Sequence, residues 1–551
     1  MKINDAVFDL IIKGAYIVDG RGGPGFFGDI GVRGERIAAL GSIPTARGHR
    51  VILAEGLAAC PGFVDIHSHS DYHLLLNPQA ESSIRQGVTL EIGGNCGYSA
   101  APIWGEWLQE RAEAYRKVYG LDLEVKREPA EGLPYLRPSE YFAHLEGLGI
   151  SVNFGLLIGH NTIRGSAMGG AARPPTSQEL SAMAEAVRDG MREGALGLST
   201  GMVYQPACFA RPSEVIALAK VVREERGTLT AHIRSEGDNL LEAIQEILFV
   251  AKEAEVPLQI SHLKTYGEAN WGKLQEAFLL IEEARALGQD VTADRYPYTA
   301  ANTGLKIVLP RWAVEGGKRE QVERLKDPTV REKIKAELRE KPVRYWGNVM
   351  ISEVASERNR RYEGLRLDEA ASLARQDPID FVLDLLFEEE GFVDAIFFAM
   401  SEENLKRILQ KPYVMIGSDS GCRAHYGPLS RGRPHPRTFG TFPRILGKYV
   451  REEGLLDLET AIKKMTWDPC RKLRIEDRGL LEPGCYADIV LFDREAVKDL
   501  ATYEEPIRYP EGVRYVLVNG HITVEEGEHT GVRAGKVIRF NVRGSRFNVA
   551  L

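Results

Sequence analysis

The residues best suited to chemistry stand at the ends of apolar runs. G-F-V-D-I-H-S-H-S-D (62–71) presents His67 and His69, and V-M-I-G-S-D (414–419) closes on Asp419. Alternate side chains of a strand face the same way, so His67 and His69 would project together toward one cation. Histidine pairs at this spacing are also common on surfaces, and it is their company that changes the reading. Other runs end in Cys96 (G-G-N-C-G-Y), His232 (T-A-H-I-R-S-E) and His262 (I-S-H-L-K). Soft or borderline donors gathered at strand ends point to a metal-dependent hydrolase.

Each residue has a role that its chemistry allows. A thiolate with two neutral imidazoles binds zinc strongly and leaves a position open for water, which makes Cys96, His232 and His262 the candidate tight site. His67, His69 and Asp419 either hold a second, weaker metal shared through Cys96 or position substrate and solvent. Asp419 is the candidate general base and acid, taking a proton from the attacking water and delivering it to the leaving amine. The alternative is that it only orients a histidine ligand.

The elements that must present these groups follow from periodicity. Eight apolar or β-branched runs (F-V-D-I-H, V-T-L-E-I-G, V-N-F-G-L-L-I, A-L-G-L-S-T, T-L-T-A-H-I, L-Q-I-S-H, V-T-A-D-R-Y, Y-V-M-I-G-S) occur in order, most of them separated by helical stretches such as 178–193, 213–225, 239–254 and 273–287. The pattern predicts an α/β fold, a (β/α)8 TIM-type barrel over 61–475 with its active site at the C-terminal ends of the strands. The connection 303–410 is too long for a simple crossover and carries charged amphipathic segments, so it is expected to be an inserted helical subdomain near the active site, either a lid or specificity wall or a packing element. Residues 1–60 and 476–551 are both rich in β runs and turns; neither is stable alone, and the two are expected to pair into a small β-sandwich domain.

Composition limits the class. The chain has 551 residues, 44% hydrophobic and 27% charged, as in ordinary soluble proteins. A net charge of −8 gives no basic footprint for nucleic acid, and no apolar run approaches a membrane span. The polar start M-K-I-N-D lacks a signal-peptide core, so a cytoplasmic protein is expected. Six scattered cysteines are then expected to be reduced thiols.

G-G-N-C-G (93–97), T-G-M-V-Y (200–204), S-H-L-K (261–264), M-S-E-E-N (400–404) and the closing H-T-G-V-R-A-G-K-V-I-R together resemble the N-acyl-D-amino-acid deacylases of the amidohydrolase superfamily, over nearly the whole chain. The resemblance implies a tightly held zinc on Cys96, His232 and His262, and a weaker site at His67, His69 and Asp419. Many relatives bridge two metals with a carboxylated lysine from the fourth strand; A-L-G-L-S-T contains none, and Cys96 can supply the bridging atom. The implied substrate carries an α-carboxylate beside the scissile amide, for which Lys264 is the leading cation, while Tyr204 and Tyr296 match tyrosines the family places at the substrate. Arg295, Arg423 and His160 lie near the same rim and rank lower. The expected partner is a small molecule, an N-acyl-D-amino acid, with oligomeric state open. Two other functions compete: another amidohydrolase reaction, such as opening a cyclic amide or deaminating a heterocycle, and a non-catalytic assembly role on the same fold.

Overall fold

The structure is a computed structural model, and it describes residues 7–123 and 135–540. The polar start and the last residues of the C-terminal β-rich stretch lie outside the described residues. Eight parallel strands form one sheet in sequence order: β1 (Phe63–Asp65), β2 (Val88–Gly93), β3 (Asn153–Gly159), β4 (Gly197–Gly201), β5 (Thr228–His232), β6 (Leu258–Ile260), β7 (Val291–Arg295) and β8 (Val414–Ile416). Each corresponds to one of the eight runs. Their residues are buried almost throughout, the signature of parallel strands covered on both faces.

Closure happens just beyond the first and last strands. Ser68 bridges Ser420 in parallel, the Asp419 amide donates to the His67 carbonyl at 2.7 Å, and the His69 amide donates to the Ser420 carbonyl at 3.0 Å. These bonds complete the barrel and set Asp419 against the histidine pair, so residues far apart in sequence meet at the C-terminal rim.

Helices pack outside the strands. Among them, in chain order, are α1 (Gly105–Tyr119), α2 (Ser177–Arg192), α3 (Pro212–Glu224), α4 (Leu240–Ala254) and α5 (Leu274–Ala286). The last four fall within one residue of the helical stretches read from periodicity. The inner faces of α2 to α5 bury Met183, Val187, Leu218, Ile244, Ile247, Phe278 and Ile281 against Leu198, Leu229 and Leu258 of the strands. No described helix is long and apolar enough to cross a membrane. All six cysteines are free and buried.

Both ends of the chain build a single sheet. Leu57–Pro61 pairs antiparallel with Ile489–Asp493, joining five N-terminal strands to four C-terminal ones in a nine-stranded sheet. Leu10, Ile12, Ile30, Ile489 and Leu517 lie buried together against it.

Between β7 and β8 the chain leaves the barrel at its catalytic end. The charged segments form helices (Lys318–Lys326, Pro328–Leu338, Pro378–Glu388), and the insertion also holds a three-stranded antiparallel sheet of Ala300–Gly304, Val349–Val354 and Val393–Phe398, with the last in the middle. Leu305, Trp346, Ile351, Leu367, Phe381 and Leu386 give it a core of its own.

Candidate metal centre and active site

The loop after β2 is shaped by backbone that only glycine tolerates. Gly94 has φ 76°, and a Cβ there would lie 1.9 Å from the Leu157 carbonyl oxygen; Gly97 has φ 81°, and its Cβ would lie 1.8 Å from Asn161 Oδ1. Asp71, from the histidine-pair segment, accepts from the Gly94 amide at 3.0 Å and the Ala100 amide at 3.2 Å. Ser199, on β4, accepts from the Gly97 amide at 2.9 Å and donates to the Gly94 carbonyl. These bonds hold the loop that carries Cys96.

Two groups of donors share that cysteine. His67, His69, Cys96 and Asp419 offer ligand atoms within 4.8 Å of one another, and so do Cys96, His232 and His262. Cys96 Sγ lies 3.3 Å from His67 Nε2 and 3.4 Å from His262 Nε2. A sulfur and a nitrogen on one tetrahedral zinc would stand roughly 3.5 Å apart, given bond lengths of about 2.3 and 2.0–2.1 Å. The Cys96–His67 and Cys96–His262 spacings match that value. Buried His232 Nδ1 has no hydrogen-bond partner among the described residues, an orphan consistent with a further ligand in this site.

Electrostatics favour the ligating forms of the two anionic donors, while the carboxylates and thiolate around them raise His67, His69 and His262 toward protonation against the effect of burial. Burial opposes the Cys96 thiolate, but His67 and His262 beside it override burial and hold the thiol well below its usual range. Burial likewise opposes charge on Asp419, and Arg437, His262 and His67 keep its carboxylate well below the usual range. Arg437 Nη1 donates to Asp419 Oδ2 at 2.7 Å, leaving Oδ1 for His69 Nε2 at 3.1 Å and His67 Nε2 at 3.4 Å. The candidate base is ionised and oriented at once.

A second layer steers the imidazoles. Asp294 Oδ1 stands 3.1 Å from His67 Nδ1 and accepts from the His262 amide at 2.8 Å. Glu236 Oε1 stands 2.8 Å from His262 Nδ1 and 2.5 Å from Lys264 Nζ. Burial opposes charge on Glu236, but Lys264, His232 and His262 pull it well below the usual carboxylate range. Such partners fix which ring nitrogen faces a metal. Sequence reasoning missed all three of Arg437, Asp294 and Glu236. Asp294 could have been found at the end of its strand and Glu236 four residues past His232, whereas nothing around Arg437 marks it.

The remaining candidates divide. Tyr204 packs edge-on to His232 with ring centroids 4.8 Å apart, and its hydroxyl accepts from Thr303 Oγ1 of the insertion at 3.0 Å. Tyr296 is buried with its hydroxyl unpartnered among the described residues, and its ring lies 4.2 Å from the Arg295 guanidinium, 4.6 Å from that of Arg437 and 5.8 Å from Lys264 Nζ. Lys264 reaches the site but is already bound to Glu236. Arg295 donates to the Tyr298 carbonyl at 2.7 Å while its Nε and Nη1 stay unpartnered. Arg423 is committed to Glu353, and His160 sits between Thr200 and Glu214, each 2.9 Å away.

The model of the amidohydrolase family matches residues 50–524. The chain is 35% identical to the D-aminoacylase of Alcaligenes xylosoxydans xylosoxydans, over 96% of this chain and 97% of that one. It belongs to the amidohydrolase family, in the D-aminoacylase group. The same organism's N-acyl-D-glutamate deacylase is 34% identical over 96% of both chains. The crystal structure of N-acyl-D-glutamate deacylase from Bordetella bronchiseptica, complexed with zinc and a phosphonate mimic of the tetrahedral intermediate, superposes with a TM-score of 0.81 at 32% identity, covering 97% of this chain and all of that one. An amidohydrolase of this group with no lysine on β4 leaves Cys96 as the atom common to both donor groups.

Proposed function

We propose that this amidohydrolase hydrolyses the amide bond of N-acyl-D-amino acids, releasing a carboxylate and a free D-amino acid. One observation carries the reading: Cys96 belongs to both donor groups, with the ionised Asp419 carboxylate at their edge. The D configuration of the substrate and the use of zinc are supported by the relatives' names. Cys96, His232 and His262 would hold the tight zinc, and His67, His69 and Asp419, with Cys96, a weaker second ion. When bound, zinc polarises the amide carbonyl and lowers the pKa of water toward neutrality.

The chain's own groups do the rest. Asp419 takes the proton of the attacking water and passes it to the leaving nitrogen, while Arg437 holds the carboxylate in place between the two transfers. The unpartnered Tyr296 hydroxyl and the cations around its ring receive the α-carboxylate, Lys264 acting as the Glu236-anchored member of that group. Tyr204, beside His232, is placed to donate toward the scissile carbonyl. In this reading residues 1–60 with 476–551 are a sheet domain, 61–475 are the catalytic barrel, and 303–410 form a wall of the site; free thiols support a cytoplasmic setting.

The test is to incubate metal-analysed protein with paired D and L N-acetyl amino acids and quantify free amino acid. Zinc-dependent release from D substrates alone is expected. No release from either enantiomer with zinc bound would overturn the reading in favour of a cyclic amide or a heterocycle.

A further inference from the structure

The strand that opens the insertion, Ala300–Gly304, is fastened to the active site at three points. His435 accepts from the Arg437 amide at Nδ1, 3.0 Å away, so its proton sits on Nε2, which donates to the Ala300 carbonyl at 3.0 Å. The Asn302 carbonyl accepts from Arg437 Nη2 at 3.4 Å, and Nη1 of that guanidinium holds Asp419. The third point is Thr303, whose Oγ1 donates to the Tyr204 hydroxyl at 3.0 Å.

The direction in which Thr303 points follows from the strand. Side chains two apart share a face. Ala301 packs with Tyr296, Tyr298 and Met400, and Thr303 leaves the strand on that same side. Its backbone is set from behind, by antiparallel pairing with Val393–Phe398 in which Thr303 stands opposite Ala395 of the insertion core. A β-branched side chain has few χ1 choices, so the hydroxyl is offered in one direction.

Tyr204 is held independently from the barrel side. Asn161 Nδ2 donates to the carbonyls of Tyr204 at 3.1 Å and Gly201 at 3.2 Å, and its Oδ1 accepts from the Gly201 amide at 3.1 Å. These bonds fix the main chain of the loop after β4. They leave the tip of the phenol to be aimed by other means, and Thr303 is the hydroxyl's one hydrogen-bond partner among the described residues.

A phenol oxygen can accept a hydrogen bond while its single proton donates another. With Thr303 donating to the oxygen, the Tyr204 proton has no acceptor among the described residues and is left for a substrate. The bond accepted at the oxygen also polarises the O–H and strengthens its donation.

We propose that Thr303 is a positioning residue for hydrolysis: it aims the Tyr204 hydroxyl so that its proton meets the scissile carbonyl oxygen as that oxygen gains charge. This rests on the deacylase reading, and it makes the insertion a supplier of catalytic geometry as well as a wall. Tyr204 keeps its proton throughout and acts only as a hydrogen-bond donor.

The experiment measures kcat and KM on the best-cut N-acetyl-D-amino acid, at matched zinc content, for Thr303→Val, Thr303→Ser, Tyr204→Phe and the Thr303→Val, Tyr204→Phe double variant. Valine keeps the shape of threonine and removes the hydroxyl. In Thr303→Val, kcat should fall about tenfold with KM moved less than about twofold, since the bond matters chiefly in the transition state. Thr303→Ser should recover most of the loss. Tyr204→Phe should cost about 100-fold, as removal of an oxyanion donor does, and Thr303→Val should then cost nothing further. Native kcat in Thr303→Val or in Tyr204→Phe, or a fall that persists undiminished in the double variant, overturns the proposal while the deacylase reading stands. If the zinc-loaded native protein cuts no N-acetyl-D-amino acid, the deacylase reading falls, and crystal structures of the native, Thr303→Ser and Thr303→Val proteins decide the positioning. A Tyr204 hydroxyl held in the first two and displaced in the third supports it, and one that keeps its place in all three overturns it.

Discussion

Cys96, His262 and Asp419 hold φ of 52°, 36° and 53°, the left-handed region that side chains other than glycine, asparagine and aspartate rarely adopt. Strain of this kind persists only where surrounding contacts over-determine it, and here it turns three donors inward at the strand ends. The same geometry offers a clean test of Asp419. Asparagine tolerates positive φ well, so Asp419→Asn removes the charge with little conformational penalty. Turnover is expected to fall at least about 100-fold, as loss of a general base commonly causes, while metal analysis still finds tight zinc; near-normal turnover would remove the proton-transfer role. Cys96→Ser, in contrast, takes the shared thiolate from both donor groups. Zinc content after dialysis should collapse in Cys96→Ser and persist in His69→Ala, and equal retention in the two variants would contradict the assignment of the tight site.

The loop that carries Cys96 depends on Gly94 more than on any contact of the cysteine itself. Gly94→Ala must adopt φ 76° and push its Cβ into the Leu157 carbonyl of β3, so neither the loop nor the strand keeps its position. A stability loss of about 2 kcal/mol or more is expected, read as a lower Tm together with reduced zinc stoichiometry; an unchanged Tm would mean that the loop relaxes freely. Elements of this kind were unevenly legible in the sequence. The eight barrel strands stood out because each is a short apolar run, and seven of them lead into a candidate ligand or a substrate tyrosine. V-M-I-S-E-V (349–354) and V-D-A-I-F-F (393–398) did not, because they stand among charged helices and pair with each other and with Ala300–Gly304 rather than with the barrel strands. Arg437 was invisible for a different reason. It ends no strand, and its helix meets the rim only through side chains, Arg437 on Asp419 and Thr438 on the Ser420 hydroxyl.

At the scale of the whole molecule, one buried polar network ties the end sheet to the barrel. Arg478 pairs with Asp488 and donates to Asn519 Oδ1 at 2.8 Å; Asn519 Nδ2 donates to Asn153 Oδ1 on β3 at 2.8 Å, and Asn153 Nδ2 donates to the Thr89 carbonyl on β2 at 2.9 Å. All four of these side chains are buried. Such a network contributes little when intact, but a missing member leaves a charge with no counter-charge. Arg478→Met therefore strands Asp488 and should lower stability by about 3–5 kcal/mol, and Arg478→Met with Asp488→Asn should recover part of that loss. Two probes locate the damage. All six tryptophans lie between residues 104 and 467, in the barrel and its insertion, so their fluorescence reports chiefly those parts, whereas far-ultraviolet circular dichroism reports the end sheet as well. If the network makes the two parts one cooperative unit, urea midpoints from the two signals coincide in the native protein and shift together in Arg478→Met. An early circular dichroism step with fluorescence unmoved would instead show the sheet melting by itself, and the barrel would then owe none of its stability to the ends of the chain.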